Sequence, residues 1–175
     1  MIRGGRAVQK SGHVREYLLC ASCEQRFGDV EPKVSKIARQ PDGSRPMLDL
    51  LGNAVLATDG GNRVVLPGKV NTAELCYFGA SILWRSSVAD RVSSCSLGNE
   101  HNEKFRTYLL GTSQFPDTAA CLVTVLHEDD DLGPLLATAF STPATEHFVG
   151  HDTHRFLVGG FVFNVFTGHA LPDLA

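Results

Sequence analysis

No run of apolar residues in this chain is long enough to cross a membrane as a helix. The best one, Leu75 to Val88, is broken by Arg85 and three serines, and falls short of the roughly 20 residues a span requires. The N-terminal Met-Ile-Arg-Gly-Gly-Arg has no apolar core of the kind a secretory leader carries. A cytoplasmic, reduced protein is therefore expected. The five cysteines, Cys20, Cys23, Cys76, Cys95 and Cys121, are an odd number and do not read as a disulfide framework. Phosphate-cradling glycine loops, a nucleophile elbow and a dinucleotide fingerprint are all missing, since Gly60-Gly61 and Gly159-Gly160 read as turns. There is no internal repeat and no low-complexity stretch.

What is present suffices for a packed core. The chain has 175 residues, of which 43% are hydrophobic and 20% charged. That length fits one domain, or a small N-terminal module on a larger body, and a bound metal would be a local staple rather than the source of stability. Charge is unevenly spread. Residues 1–45 carry nine Lys/Arg against five Asp/Glu, whereas the remainder carries seven against fourteen. A basic end of this kind suits contact with nucleic acid, with Arg3, Arg6, Lys10 and Arg15 as contact residues. The alternative is a solvated arm lying on an acidic body.

The pattern along the chain is that of an α+β protein. Residues 1–16 are Gly-rich, basic and extended. Val30, Val34 and Ile37 give an apolar stripe within a helix from about Cys23 to Arg39, with Pro32 as a break or a fresh first-turn position. Met47 to Leu56 is ambiguous between helix and strand. Asp59-Gly60-Gly61-Asn62 is a hairpin-type turn leading into a strand at Arg63. Residues 72–90 are apolar almost all round, as in a buried helix with Thr72 near its cap and Glu74 in its first turn. A second helix spans Asn99 to Leu110 and stops at Gly111. Beyond Pro116 the reading is strands: Ala119–Leu126, Leu135–Ser141, Arg155–Val158 and Phe161–Phe166, the last apolar on both faces and so central. The sequence divides into a basic arm with a knuckle and helix, 1–45, and an α+β body, 46–175, in which the helix at 72–90 covers an antiparallel sheet.

The chemistry concentrates in Leu18-Leu19-Cys20-Ala21-Ser22-Cys23-Glu24-Gln25-Arg26-Phe27. A C-x2-C knuckle before a helix supplies two of the four ligands of tetrahedral zinc, half of a treble-clef or zinc-ribbon site. Two other readings stay open: a pair of reduced thiols beside the core, or a redox dithiol. Completion of a zinc site can come from His13, from Cys95, from the C-terminal histidines or from a partner chain. In His147-Phe-Val-Gly-His151-Asp152-Thr-His154, a turn would let His151 and His154 face one ion with Asp152 as an oxygen ligand. The alternative there is a polar loop between strands. Glu100 and Glu103 are explained by a helix start, and Glu128 to Asp131 by a solvated hairpin loop. Arg85 is expected to pair with an acid such as Asp90 or Glu74, or to line a pocket.

Three blocks resemble those of a bacterial protein family labelled HNH-endonuclease-like. They are LLC-x2-CE-x2-F at Leu18–Phe27, Tyr77-Phe78-Gly79-Ala80-Ser81-Ile82-Leu83-Trp84-Arg85 followed by Ser96-Leu97-Gly98, and the strand pair from Arg155 to Thr167. The resemblance implies a treble-clef-like N-terminal part completed by a second C-x2-C and a histidine motif. Neither stands upstream of Cys20 in this sequence, and His13 is the one histidine there. Three functions follow: a non-catalytic or partner-dependent binding protein associated with nucleic acid, an HNH-type metal-dependent nuclease with His13 as general base, or a subunit of a defence or mobile-element complex.

Overall fold

The computed structural model describes residues 2–3, 6–7, 19–38, 40, 42–52, 55–59, 62–65, 70–89, 95–126 and 138–169. In chain order the elements are β1 (Ile2–Arg3), β2 (Arg6–Ala7), α1 (Ala21–Ile37), α2 (Pro46–Gly52), β3 (Val55–Asp59), β4 (Asn62–Val65), α3 (Thr72–Val88), α4 (Gly98–Leu109), β5 (Ala119–Val125), β6 (Ala144–Phe148), β7 (His151–Val158) and β8 (Phe161–Gly168). The fold is α+β. Helices pack against a four-stranded antiparallel sheet ordered β5-β8-β7-β6. β1 with β2 and β3 with β4 form two separate antiparallel pairs.

α3 organises the helical layer because it is apolar on nearly every side. It touches α1 and α4 on its flanks and β5 and β8 beneath. Its N-cap is Asn71, one residue ahead of the expected Thr72, and the Asn71 carboxamide oxygen accepts from the Glu74 amide at 3.2 Å. That bond satisfies one of the orphan donors of the first turn. Leu75, Phe78, Ala80 and Leu83 are buried along it.

Contact with the sheet is closest at Gly79. A Cβ there would stand 2.9 Å from Phe163 Cδ1 and 3.7 Å from Cys121 Sγ. A hydrogen at this position lets the helix backbone ride directly on the Phe163 ring. Phe163 in turn stacks on Phe156 with centroids 5.1 Å apart and planes 5° from parallel, and meets Phe78 at 5.6 Å and Phe161 at 6.3 Å. These rings are buried, and full burial of such a side chain contributes about 1.5–3 kcal/mol.

The register explains which residues reach that core. Cys121, Val165 and His154 lie opposite one another across β5, β8 and β7, as do Val123, Phe163 and Phe156. β8 is central, as its two apolar faces predict. Its partner β7 begins at His151 rather than near Arg155, and β6 precedes it. The expected histidine turn is thus mostly strand, and only Val149-Gly150 turns. The strand read at Leu135–Ser141 falls largely outside the described residues. Within them, Phe140 makes a bridge with Val158.

α1 is continuous through Pro32, where a break or a new helix start was expected. The proline removes the amide that would bond the Gly28 carbonyl. Gly28 and Pro32 both lie on the exposed side, so the loss falls where solvent reaches. The opposite side, Phe27 and Val34 with Val30 and Ile37, joins the common core, and that burial offsets the missing bond. α4 ends as its sequence predicts. Gly111 takes φ 74°, and the Thr112 amide reaches back to the Thr107 carbonyl at 3.0 Å. Among the described residues no helix is long and apolar enough to cross a membrane.

Candidate metal centre

Cys20 is the N-cap of α1, with extended backbone at φ −76° and ψ 161°. Cys23 sits in the first turn, and its amide and that of Glu24 both bond the Cys20 carbonyl at 3.0 Å. This geometry turns both thiols to the same side. Their sulfurs are 3.3 Å apart, and the Ser22 hydroxyl lies 3.1 Å from Cys20 Sγ. Cys20 is exposed and Cys23 half-exposed.

The Ser22 hydroxyl, then the backbone amide and the thiol of Cys23, bring the Cys20 thiol down to about 7. Cys23 is pushed up, first by the hydrogen bond with Cys20. One thiolate with one thiol is the protonation state this favours near neutrality. The donors are soft and ready for a soft metal. Tetrahedral zinc with bonds of about 2.3 Å would hold two sulfurs roughly 3.8 Å apart, so a small rotation of either side chain opens the pair to that span. Cys20 and Cys23 therefore fit two positions of a zinc site.

The remaining sequence-predicted ligands lie elsewhere. His151 and His154 are three apart in one strand, an odd separation, and β7 sends them to opposite faces. His154 points into the core. It is fully buried, with Nδ1 2.9 Å from Thr145 Oγ1 and Nε2 3.0 Å from Thr167 Oγ1. Burial brings it down to about 4, so at neutral pH it is an uncharged ring with both nitrogens engaged. His151 lies on the outer face, stacked on Phe148 at 5.2 Å and 10°, with Phe166 at 6.2 Å. Asp152 bonds His147 Nδ1 at 2.8 Å. The two histidines do not converge on one point in this arrangement. Strand parity, applied outward from the buried Phe156, was the signal that separates them.

Cys95 is buried beneath Leu83 and pushed up to about 11 by that burial. Cys76 and Cys121 bond each other between α3 and β5, with Cys76 lowered and Cys121 raised by that bond. Among the described residues no three of His, Cys, Asp and Glu gather closely enough to hold a metal. His13, Lys10, Arg15 and the Glu128–Asp131 run lie outside the described residues. Arg3 and Arg6 are partners in the backbone register of β1 and β2.

Arg85 pairs with an acid, as expected, but with Glu31 rather than Glu74, and Asp90 lies outside the described residues. Its guanidinium bonds Glu31 Oε1 at 2.8 Å, its Nε bonds the Ser81 carbonyl at 3.1 Å, and it lies 5.3 Å over the Phe27 ring. It thus ties α3 to α1, about two turns beyond Cys23, through an interaction that spacing within a single helix does not reveal. Glu74 instead holds Lys33 at 2.9 Å. Glu100 pairs with Lys104 and Glu103 with Arg106, while His101 reaches Thr118 Oγ1 at 3.2 Å. No protein-family model, curated protein or solved structure matches this chain.

Proposed function

We propose that this chain is a binding protein in which Cys20 and Cys23 are one half of a treble-clef-like zinc knuckle, and the basic N-terminal stretch is the contact surface for nucleic acid. One observation carries the reading. Two solvent-facing thiols share one side of the first turn of α1, 3.3 Å apart. Zinc held there would fix the segment entering α1, and that segment carries Lys10 and Arg15, with Arg3 and Arg6 ahead of them. A lysine and three arginines act on phosphates through charge, so binding should weaken with salt.

Metal analysis of protein purified without a histidine tag tests the knuckle. Zinc bound by the wild type and lost in Cys20→Ser/Cys23→Ser supports it; equal metal in both removes it. Fluorescence anisotropy with a labelled oligonucleotide tests the surface. Replacement of Arg3, Arg6, Lys10 and Arg15 by Ser should abolish binding and flatten its salt dependence. Undiminished binding would discard that surface, and absence of any nucleic-acid binding would turn the reading toward a protein partner.

A second reading rests on the same sulfurs and on the lowered Cys20. The Cys20 thiolate attacks a small disulfide such as oxidised glutathione and releases one thiol. Cys23 then displaces the second, leaving a Cys20–Cys23 disulfide and two reduced thiols. Incubation of metal-free protein with oxidised glutathione, followed by peptide mass mapping, decides it. An internal disulfide supports exchange, and unreacted or singly glutathionylated Cys20 counts against it.

A further inference from the structure

The described residues bring two thiols together where zinc requires four ligands, and the rest of the chain cannot supply a second thiol pair without taking the core apart. Of the other three cysteines, Cys95 is 4% exposed, and Cys121 is packed between β5 and Gly79 of α3, the helix that carries Cys76. Among the described residues four imidazoles are also engaged: His154 with two threonines, His101 with Thr118, His147 with Asp152, and His151 in a ring stack.

We infer that a zinc ion clasps two copies of this chain, taking Cys20 and Cys23 from each. This rests on the zinc reading above and names the partner that completes the site. Three observations carry it. A two-fold axis through the ion turns a two-ligand half-site into a four-ligand one without any further residue, and two-fold pairing is the commonest symmetry of soluble oligomers. The half-site lies at the surface, with Cys20 exposed as the outermost residue of α1, so a second copy can approach without displacing packed side chains. The electrostatics also suit four thiolates. A zinc tetrathiolate carries a net charge of −2, and the clasp would place the positive ends of two 17-residue helices against it. Arg26, one turn on from Ser22, adds a cation that already acts on Cys23.

The pairing is specific in what it predicts. Each copy contributes sulfur only, so the ion sees four thiolates and no imidazole. Stoichiometry is one zinc per two chains. Association depends on metal and not on an apolar interface, so a chelator should separate the copies and leave each one folded.

Native mass spectrometry of the full, untagged chain, with and without added zinc sulfate, reads both quantities at once. The expected result is a dimer holding one zinc, converted to monomer by a chelator, with unchanged far-ultraviolet circular dichroism. Cobalt(II) in place of zinc should give the ligand-field absorption of a tetrahedral tetrathiolate. Cys20→Ser/Cys23→Ser should be a folded monomer without metal, and Cys76→Ser should still dimerise with zinc. A monomer holding one zinc would overturn the clasp and keep the zinc half-site, completed within the chain. A dimer indifferent to chelator would overturn the clasp as well. Absence of bound zinc at any concentration would overturn the zinc reading itself.

Discussion

Cys20 and Cys23 stand at the solvent end of a helix, whereas Cys76 and Cys121 meet between a helix and a sheet. In both pairs one thiol is lowered and the other raised, Cys20 first by the Ser22 hydroxyl and Cys23 by Cys20, Cys76 and Cys121 by each other. What separates them is what else can arrive. Around Cys20 there is room for an ion, a disulfide or another chain. Around Cys121 the neighbours are the Gly79 backbone and the Phe163 ring, and the pair serves as packing. Sequence spacing alone does not announce that difference: one pair is local and the other is 45 positions apart. The histidines of β7 repeat the contrast, with His151 on the open face and His154 sealed in the core.

The largest test of that contrast uses acid. His154 is brought from its ordinary value of 6.5 to about 4 by burial, so the unfolded chain binds the proton first. Stability is fully present above pH 6.5 and falls as pH drops through the interval to 4, by about 3 kcal/mol in all. Urea denaturation across that interval should show the decline, and His154→Gln should lessen its slope. An unchanged slope in the variant would mean that the buried site does not titrate as described.

Next in size is Gly79→Ala. The added methyl drives into the Phe163 ring and should cost about 1–3 kcal/mol, read as a lower denaturation midpoint. Equal stability would show that helix and sheet can part without penalty, and would weaken the distinction between the two thiol pairs.

Thiol chemistry sharpens the comparison further. Near pH 7, iodoacetamide should label Cys20 first, roughly five- to ten-fold faster than an ordinary exposed thiol once its lower intrinsic nucleophilicity is counted. Cys95 should react only on unfolding. Peptide mapping over time reads the order, and early labelling of Cys95 would reverse the assignment. The smallest effect concerns stability at the exposed pair. Without metal, Cys20→Ser/Cys23→Ser should leave the denaturation midpoint nearly unchanged. A larger loss would mean that these thiols support the fold itself.

Much of the architecture was legible because it depends on short-range pattern. The apolar circumference of residues 72–90 located α3, the two-faced run Phe161–Phe166 located the central strand, and Gly111 marked the end of α4. The contact between the two thiols was legible for the same reason, since three positions of chain fix Cys20 beside Cys23. Other features depend on where distant segments meet. β6 was missed because Ala144–Phe148 is mostly exposed and carries little alternation. Pro32 reads as a break or a fresh first-turn position because propensity is local, whereas the packing of Phe27 and Val34 on α3 is not. Arg85 found Glu31, 54 positions away, and Thr145, His154 and Thr167 formed a network reaching into the core that composition reads as a polar loop.

The order of the sheet has a temporal side. β5 has one partner strand, β8, and Val125 is separated from Gly168 by 43 positions. At synthesis rates of about 5–20 residues per second, β5 emerges roughly 2–9 seconds before the strand that covers it, and the sheet-facing side of α3 earlier still. Throughout that interval the nascent chain presents Phe78, Leu83 and an unpaired strand edge together, which is the surface that holding chaperones take up. Ribosome-stalled chains ending before Phe161 should therefore be chaperone-bound and protease-sensitive, and those carrying β8 clear of the exit tunnel released and resistant; the last strand of the sheet acts as the closing signal for everything made before it.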